Sequence, residues 1–483
     1  MTDDRDFSLE ESMSVAGQLA KTPTGIDGFD ELTEGGLPQG RPSLVCGGPG
    51  CGKTLFAMEF LVRGAMQFNQ PGVFMAFEET GKELAANVRS LGFDVENLIA
   101  DKKLAIDYVR VERSEIEENG EYDLEGLFVR LGYAIDSIAA KRVVLDTIET
   151  LFSGLVNQAI VRSELRRLFR WLKDRGVTAI ITGERGDGQL TRHGLEEYVS
   201  DCVVLLDHRI IEQVSTRRLR IVKYRGSSHG TNEYPFLIDD HGLVVMPLST
   251  IGLNHEVCED RVSSGVPQLD EMLDGKGYFR GTSILVSGTA GSGKTSLGAS
   301  MAQAACQRGE RVLFISMEES PNQLVRNMQS IGINLRSYVD VGLLWLHSVR
   351  ATSLGMESHL VHFYRMITRF APQVVVIDPI SSLLHSGTPQ DANSMTTRLV
   401  DFLKSKNITA YFTSLTAGDA ALEKTSLEIS SLVDSWLLVR DVEETDRRSR
   451  ILYLLKSRGM AHSHQLRVFQ LTNQGIRLQE PRA

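Results

Sequence analysis

Residues 47–54 read Gly47-Gly48-Pro49-Gly50-Cys51-Gly52-Lys53-Thr54, and residues 288–295 read Gly288-Thr289-Ala290-Gly291-Ser292-Gly293-Lys294-Thr295. Both fit the pattern G-x4-G-K-[ST], in which glycines let successive backbone N–H groups turn onto phosphate oxygens. The lysine of this pattern reaches the β- and γ-phosphates, and the threonine hydroxyl ligates Mg²⁺. Each stretch follows a short apolar run and precedes a helical pattern, as the motif requires. The sequence therefore predicts two nucleotide sites.

The expected ligands of these loops are ATP and Mg²⁺. Thr54 and Thr295 are the predicted metal ligands, because their hydroxyls follow the lysine of each motif. The loop residues expected to contact ATP are Gly48, Pro49, Gly50, Cys51, Gly52, Lys53, Thr54, Thr289, Ala290, Gly291, Ser292, Gly293, Lys294, Thr295 and Ser296.

The two loops belong to a longer internal repeat. They lie 241 positions apart, and the pair Glu78-Glu79 recurs 240 positions later as Glu318-Glu319. Asp146, at the end of an apolar run, recurs 232 positions later as Asp378, so the register slips only by a short deletion in the second copy. Two copies of one domain are therefore expected. The expected boundaries are an acidic mobile tail at 1–20, a first domain at 21–248 and a second domain at 249–483.

Composition narrows the class of protein. A chain of 483 residues that is 42% hydrophobic can bury two cores of ordinary size. Its five cysteines are scattered without a C-x-x-C pair, which is typical of free thiols in a reducing cytoplasm. No secretion signal and no long uncharged apolar run are evident, so a cytoplasmic protein without a membrane span is expected. The net charge of −10 argues against a general attraction to nucleic acid.

The order of apolar runs predicts the fold class. Runs rich in β-branched residues alternate with helical patterns in both copies, which is typical of parallel strands covered by helices. We therefore expect an α/β protein with two tandem P-loop domains, each a mainly parallel sheet flanked by helices. The P-loop at the tip of the first core strand would then place ATP at the carboxyl edge of the sheet.

Carboxylates at strand ends are the candidate catalytic groups. Asp146 and Asp378 fit the Walker B position, where a carboxylate supports the Mg²⁺ shell. The alternative is that each of these aspartates caps a helix. Glu78-Glu79 and Glu318-Glu319 also follow apolar strands, so they can orient or deprotonate a nucleophile beside the γ-phosphate. The alternative is a solvated pair on the surface.

A second repeated pattern carries cations. Lys223-Tyr224-Arg225-Gly226 recurs as Lys456-Ser457-Arg458-Gly459, 233 positions later. The lysine and the arginine alternate along a strand and so point the same way. In a ring of identical subunits they could act as arginine fingers on the γ-phosphate of a neighbour. The alternative is a basic edge strand that its charge keeps soluble.

The two copies differ at one position that matters for chemistry. Ser430-Ser431 in the second copy align with Glu197-Tyr198 in the first. Only the second domain therefore offers aliphatic hydroxyls there, and a hydroxyl held near ATP and a base can be phosphorylated. On the sequence alone, serines in an ordinary turn before a strand are the preferred interpretation.

These features together resemble the KaiC family of RecA-like double-domain ATPases and autokinases. The tandem organisation, the Glu-Glu pairs, the K-x-R-G repeats and the Ser-Ser before a strand carry the resemblance, which runs from about residue 20 to residue 475. It implies RecA-like domains, a hexamer of two stacked rings and ATP bound between subunits. It also implies that a KaiB-like protein binds the first ring.

The resemblance assigns roles to residues. It implies that Glu78 is the base of a slow ATPase in the first domain. In the second, Glu318 would ligate Mg²⁺ and activate Ser430 or Ser431 of the adjacent subunit, and Thr425 lies where the family has another phosphorylatable threonine. Glu79 and Glu319 complete the catalytic pairs. The remaining family nucleotide-contact positions are Ser90, Tyr224, Ser227, His229 and Asp240 in the first domain, and Arg450, Lys456, Ser457, Arg458 and His462 in the second.

Three departures limit what the resemblance carries over. The acceptor pair is Ser-Ser where clock members of the family have Ser-Thr, so an ordered two-site cycle does not follow. Ile331 replaces the tryptophan beside adenine. The chain stops at Ala483, without the long tail through which the family receives its activator, so no activator binding of that kind is expected.

Two other functions share parts of this pattern. A RecA-like motor on DNA has the same fold, but the acidic charge and the lack of an evident basic-aromatic loop argue against it. A ring held together by nucleotide could also serve as a scaffold for partner proteins, with hydrolysis incidental. The sequence favours a signalling or timing autokinase with ATPase activity.

Overall fold

The structure is a computed structural model of the chain. It describes residues 19–109, 124–152, 158–186, 200–211, 214–247, 258–386, 388–416, 431–444 and 447–480. The chain divides into two compact units, Met1–Thr250 and Ile251–Ala483.

The first unit alternates strands and helices. Its strands are β1 (Lys21–Thr22), β2 (Leu37–Pro38), β3 (Pro42–Gly47), β4 (Gly72–Ala76), β5 (Leu104–Tyr108), β6 (Arg142–Asp146), β7 (Thr178–Glu184), β8 (Cys202–Ile211), β9 (Val214–Tyr224), β10 (Glu233–Asp239) and β11 (Gly242–Val245). Its helices are α1 (Phe29–Leu32), α2 (Lys53–Gln67), α3 (Gly81–Arg89), α4 (Val95–Ala100), α5 (Glu125–Ile138), α6 (Ile148–Leu151) and α7 (Gln158–Asp174).

Nine of the strands described in the first unit form one sheet, in the order β11-β10-β9-β8-β3-β7-β6-β4-β5. The strands from β8 to β5 in this order pair in parallel, whereas β8, β9, β10 and β11 pair antiparallel with one another. β3, β4 and β6 are buried along their whole length, as apolar strands covered on both faces must be. The β1–β2 pair forms a separate small sheet.

Two apolar layers cover the faces of this sheet. One contains Phe56 and Phe60 of α2 packed with Phe74 and Val144 of the sheet. The other contains Leu131 of α5 and the apolar side of α7. Alternate residues along each strand point to opposite faces, so neighbouring strand residues divide between the layers. The expected arrangement of a mainly parallel sheet flanked by helices is confirmed.

The second unit repeats the first. Its strands are β12 (Arg261–Val262), β13 (Tyr278–Phe279), β14 (Ser283–Gly288), β15 (Val312–Ser316), β16 (Leu344–Ser348), β17 (Val374–Asp378), β18 (Thr409–Leu415), β19 (Ser435–Glu444), β20 (Arg447–Ser457), β21 (Arg467–Thr472) and β22 (Gly475–Gln479). Its α-helices are α8 (Pro267–Met272), α9 (Lys294–Gln307), α10 (Pro321–Gln329), α11 (Arg336–Asp340), α12 (Met356–Phe370) and α13 (Pro389–Ser405), with 3-10 turns at Ala351–Ser353 and Ile380–Ser386.

The strand order of the second sheet is β16-β15-β17-β18-β14-β19-β20-β21-β22. It matches the first sheet position for position when the first is read from its other edge, as β5-β4-β6-β7-β3-β8-β9-β10-β11. The match extends to irregularities, because the long hairpins β8–β9 and β19–β20 each slip register once, at Val203/Val204 and at Trp436/Leu437. The sequence repeat is therefore a repeat of structure. In both units the P-loop leaves the carboxyl end of a central strand and leads into a long helix, α2 or α9.

Candidate nucleotide sites

Each P-loop is wrapped around the start of its helix. Gly52 and Gly293 precede α2 and α9 with φ of 103° and 98°, a left-handed conformation that glycine adopts without a steric penalty. A Cβ on Gly52 would lie 2.7 Å from Ile238 Cδ1, so the loop also needs glycine for space. The backbone N–H groups at such a helix start have no partners within the helix and are suited to bind phosphate.

The two motif lysines lie inside their loops. Lys53 Nζ donates to the carbonyl oxygens of Gly47 and Gly48 at 2.9 and 3.1 Å. Lys294 Nζ donates to those of Gly288 and Thr289 at 2.9 and 2.7 Å. Burial lowers the pKa of Lys294, and the negative charges of Asp378 and Glu318 oppose that shift. Both ammonium groups are therefore held where the phosphates of ATP would compete for them.

The strand-end aspartates contact the threonines of the P-loops. Thr54 Oγ1 donates to Asp146 Oδ2 at 2.9 Å, and in the second domain the Thr295 hydroxyl interacts with the Asp378 carboxylate and lowers its pKa. Burial raises the pKa of both carboxyl groups, while these hydroxyls lower it. In each domain the hydroxyl and carboxylate that Mg²⁺ requires therefore lie together, so the residues fit the ion.

A second hydroxyl on the neighbouring strand was not identified from the sequence. Thr182 donates to Asp146, and Thr413 donates to Asp378. These threonines lie 231 positions apart, so the internal repeat contained the signal. They fix the orientation of the buried carboxylates.

The first glutamate of each pair lies at the open edge. Glu78 Oε1 accepts hydrogen bonds from Thr147 Oγ1 at 3.0 Å and from Thr150 Oγ1 at 2.9 Å. The corresponding oxygen of Glu318 lies 3.5 Å from Ser382 Oγ, and Ser382 is the counterpart of Thr150. Both glutamates follow strands, β4 and β15, that pair in parallel with the strands ending in Asp146 and Asp378. They therefore lie at the same carboxyl edge of the sheet as the P-loop.

The second glutamates are attached to helices. Glu79 accepts from Asn87 Nδ2 at 3.2 Å, and Glu319 accepts from Asn327 Nδ2 at the same distance. These bonds tie each carboxylate to α3 or α10. Of each pair, the first glutamate is therefore the one better placed to act on a bound ligand.

The remaining predicted contact positions fall at two opposite edges. β10 runs in the same direction as β3, so Asp240 lies at the carboxyl edge, and a Cβ on Gly92 would lie 3.5 Å from the Asp240 carbonyl oxygen. Ser90, in the turn leading to Gly92, belongs to this group. In the second domain, Val439 of β19 pairs with Gly288 at the start of the P-loop, and Asp441, two residues further along β19, pairs with Arg450. Arg450 therefore also lies at the carboxyl edge, on the side of the P-loop.

The other positions lie at the amino edge, where β8 and β19 begin. Tyr224 pairs with Cys202, which pairs with Ser43 at the start of β3. Ser457 likewise pairs with Ser435 near the start of β14. The predicted contacts placed at or just after these strand ends are Lys223, Tyr224, Arg225, Ser227, His229, Lys456, Ser457, Arg458 and His462. Neither domain brings these residues to its own P-loop.

Several of these side chains already have partners. Tyr224 Oη donates to the Gly36 carbonyl at 2.8 Å, and its ring lies 6.2 Å from that of His229. Ser457 is buried with its hydroxyl 2.9 Å from that of Ser435, so its side chain does not face solvent. Arg225 lies 3.6 Å from Asp201. Ser227 Oγ donates a hydrogen bond to the Ser228 carbonyl oxygen, and His462 Nδ1 lies 3.4 Å from the Met460 carbonyl oxygen.

The candidate acceptor segment lies at this same amino edge. Ser431 is exposed, and its carbonyl oxygen accepts a hydrogen bond from Arg458 Nη2 at 2.7 Å. Ser430, Thr425 and the first-copy residues Glu197-Tyr198 lie outside the described residues. Ser431 is therefore placed next to the candidate finger and away from the P-loop of its own domain.

The part of the chain that the structure describes contains no group of three or more His, Cys, Asp or Glu residues that could hold a metal ion. No helix among the described residues has the length and apolar character to cross a bilayer. None of the five cysteines forms a disulfide bond.

The fold and the two sites define a tandem RecA-like P-loop ATPase. More narrowly, the chain belongs to the KaiC family, since the family described as "ATPase: KaiC" matches residues 22–250 and 262–483. The resemblance found in the sequence is thereby confirmed.

Individual relatives agree with this assignment. The chain is 55% identical over 464 residues to the circadian clock protein KaiC2 of Synechocystis sp., an alignment that covers 96% of this chain and 82% of the relative. It is 37% identical over 460 residues to the circadian clock oscillator protein KaiC of Synechococcus elongatus, covering 95% and 88%. It is also 37% identical over 470 residues to the circadian clock protein KaiC3 of Synechocystis sp., covering 96% and 92%.

Proposed function

We propose that this chain is an ATP-hydrolysing serine autokinase that works as a hexameric ring. The first domain would hydrolyse ATP, and the second would phosphorylate Ser430 or Ser431 of a neighbouring subunit. The observation that carries the proposal is the separation of each P-loop from the cations Lys223, Arg225, Lys456 and Arg458. The P-loop and the cations lie at opposite edges of the same sheet.

The separation is too large for a side chain to bridge. From Ser43 to Gly47 the strand advances four residues, which is about 13 Å. Lys223 and Arg225 lie at the Ser43 end, whereas the phosphates would lie beyond Gly47. A second copy of the chain can supply these cations if its amino edge faces the P-loop edge of the first. Repetition of that contact generates a ring when the rotation closes.

In the first domain the described groups support hydrolysis. Lys53 would bind the β- and γ-phosphates, and Thr54 with Asp146 would hold Mg²⁺, which when bound neutralises phosphate charge. Glu78 would orient a water molecule in line with the γ-phosphate and accept its proton. Thr147 and Thr150 keep the carboxylate in position for that role.

In the second domain the described groups support transfer to a hydroxyl. Thr295, Asp378 and Glu318 would hold Mg²⁺ beside Lys294. A cavity of about 580 Å³ lies next to Glu318, and its lining includes Arg350, Thr352 and Ser382. The serine Oγ–phosphorus bond would form as the bond from the γ-phosphorus to the β–γ bridging oxygen breaks, and Glu318 would take the hydroxyl proton. The products are phosphoserine and ADP.

The relatives named above are circadian clock proteins, and we extend a signalling or timing role to this chain. A ring whose second domains gain phosphate acquires negative charge at the edge that holds Arg458, which can shift contacts between subunits. A KaiB-like protein binding the first ring would then report the state of the second. This part of the proposal rests on family membership.

The direct test is incubation of the chain with labelled ATP and Mg²⁺, followed by mass mapping of the phosphate. We expect label on Ser430 or Ser431 and none in the first domain. Replacing both serines by alanine should remove the label and preserve ATP binding, whereas Lys294→Ala should remove the label and ATP binding at the second site. Label found elsewhere, or none while both sites bind ATP, would contradict the proposed kinase.

A further inference from the structure

A buried ion pair lies below the nucleotide edge of the first domain. Glu59 on α2 has a fully buried side chain, and its Oε1 accepts a hydrogen bond from Arg63 Nε at 2.6 Å, one helical turn further on. The other carboxylate oxygen accepts from the backbone N–H of Leu243 at 2.7 Å. Neither residue belongs to the P-loop or to the candidate catalytic groups. An ion pair removed from water carries a desolvation penalty, so its presence here calls for an explanation.

The pair holds the turn between β10 and β11 from both sides. Glu59 binds Leu243 on the far side of the turn, and Arg63 Nη2 donates to the His241 carbonyl oxygen at 2.9 Å. Gly242 lies directly on the carboxylate, because a Cβ there would lie 2.4 Å from Glu59 Oε1. The position of the turn, which carries Asp240, therefore depends on Glu59 and Arg63.

Arg63 also reaches the segment opposite this turn. Its guanidinium carbon lies 6.0 Å from the centre of the Phe93 ring, a distance at which a cation is attracted to the ring face. Phe93 follows Gly92, which adjoins Asp240. Arg63 thus connects the two segments that carry the predicted contact residues Ser90 and Asp240.

The second domain has no equivalent pair. Ser300, Ala304 and Ile333 stand at the positions of Glu59, Arg63 and Phe93. Gly475, the counterpart of Gly242, has a similar positive φ of 102°, but nothing lies within 4 Å of the place where its Cβ would be. The arrangement is therefore confined to the first of the two sites.

We propose that Glu59 and Arg63 are positioning residues that hold the β10–β11 turn against the base of ATP in the first domain. The proposal rests on the proposed function, because it requires ATP to bind at that site. The pair lies away from the phosphates and acts through the turn. It therefore affects the affinity for a nucleotide that has a base, and leaves the affinity of the P-loop for phosphate unchanged.

Titration of Glu59 gives a second readout. Burial raises the pKa of Glu59 to about 7, and the charge of Arg63 opposes that shift. The other charge that acts on the carboxylate is that of Asp27, from the loop before α1, and it raises the pKa. The turn itself carries the titratable groups of Asp239, Asp240 and His241. Opening the turn would return Glu59 to water and its pKa toward the ordinary value. The closed turn is therefore favoured below pH 7 and loses stability as the pH rises through about 7.

The test measures binding to the full chain carrying Lys294→Ala, so that the first site reports alone. ATP and inorganic tripolyphosphate are titrated, each with Mg²⁺. Glu59→Ala should weaken ATP binding about tenfold, equivalent to about 1.4 kcal/mol, and leave tripolyphosphate binding unchanged. Glu59→Gln should lose less ATP affinity than Glu59→Ala, because its single amide oxygen can still accept one of the two hydrogen bonds, from Leu243 or from Arg63. From pH 6 to 8, ATP affinity should fall in the parent chain relative to Glu59→Gln.

Two glycine variants guard against a general loss of folding. Gly242→Ala and Gly475→Ala introduce the same side chain at a similar positive φ, but only the first collides with Glu59. Gly242→Ala should weaken ATP binding at the first site, and Gly475→Ala should not. Equal loss of both ligands in Glu59→Ala, or an equal effect of the two glycine variants, would overturn the proposed positioning role. A parent chain that binds neither ligand would overturn the proposed function itself.

Discussion

Glu78 and Glu318 follow equivalent strands but are held differently. Two threonine hydroxyls donate to Glu78 at 2.9 and 3.0 Å, whereas the Ser382 hydroxyl lies 3.5 Å from Glu318. A carboxylate fixed by two donors suits the alignment of one water molecule. A less restrained carboxylate beside a cavity of about 580 Å³ suits an incoming serine. The contacts of single residues thus agree with the proposed division between hydrolysis and phosphotransfer.

The first prediction separates the two activities. Glu78→Gln should lower the total ATPase rate by roughly a hundredfold, the usual effect of removing a general base. Autophosphorylation should persist, because the second domain is unchanged. Steady-state phosphate release and label incorporation measure the two activities. If hydrolysis survives Glu78→Gln and falls only with Glu318→Gln, the division of labour is the reverse of the one proposed.

The second prediction concerns pH and the stability of the first domain. Glu59 has a pKa of about 7 in the folded protein, above its ordinary value of 4.5, so folding favours its protonated form. Its contribution to stability is complete below about pH 4.5 and is lost as the pH rises to about 7, by up to about 3 kcal/mol. Denaturant unfolding of the first domain at pH 5 and pH 7.5 should reveal this loss. Glu59→Gln should remove that part of the pH dependence. If the unfolding free energy of the variant changed with pH as much as that of the parent chain, the prediction would be contradicted.

Candidate residues that belong to local motifs could be predicted from the sequence, whereas contacts that depend on folding could not. The P-loops, Asp146 and Glu78 follow from spacing and from position after an apolar strand. The bond from Thr182 to Asp146 joins residues on separate strands, so no local pattern predicts it, although its repetition at Thr413 was a signal. Glu59 has no counterpart in the second copy, and its role became visible only through Gly242.

At the scale of elements, the repeated hairpins differ slightly from expectation. The sequence placed Lys223 and Arg225 on one strand, pointing the same way. In the structure β9 ends at Tyr224, and Arg225 begins the following turn, with its backbone N–H donating to the Asp201 carbonyl at 2.8 Å. Arg458 repeats this contact with Asp434 at the same distance. The turn therefore fixes each arginine at the amino edge of its sheet.

The third prediction tests whether Arg225, at the amino edge of the first sheet, takes part in ATP hydrolysis. Arg225→Ala should reduce ATP hydrolysis by at least about tenfold, because finger arginines stabilise charge on the transferring phosphate. Arg220→Ala is the matched control, since it removes the same charge from an exposed position on β9, the strand that Arg225 directly follows. Its hydrolysis rate should stay near that of the parent chain. Equal rates for the two variants would return Arg225 to a solubilising role.

Apolar patterning was enough to predict the parallel part of each sheet. Runs such as the one ending at Asp146 are buried from end to end, and composition alone marks them. The antiparallel extension from β8 to β11 was not predicted. Its strands mix charged and apolar residues, and their pairing depends on long hairpins whose register is set across the sheet rather than along the chain. Strand ends were correspondingly less accurate than strand centres.

At the scale of the whole molecule, each domain has a P-loop at one edge of its sheet and repeated cations at the other. In the proposed function a second copy of the chain therefore completes each site. The fourth prediction is that ATP and Mg²⁺ favour a ring, because a ligand that bridges two subunits stabilises the assembly by mass action. Light scattering should show a hexamer in saturating ATP and smaller species without nucleotide. A monomer at micromolar concentration in saturating ATP would exclude fingers acting between subunits.

The central claim, that a subunit is phosphorylated at the P-loop of its neighbour, is tested by mixing two inactive chains. One carries Lys294→Ala and keeps its serines, whereas the other carries Ser430→Ala with Ser431→Ala and keeps its P-loop. Neither should label itself. In rings formed from the mixture, we predict phosphate on Ser430 or Ser431 of the Lys294→Ala chain, measured by mass mapping with the two chains isotopically distinguished. Mixed rings that form and hydrolyse ATP but carry no such phosphate would contradict transfer between subunits.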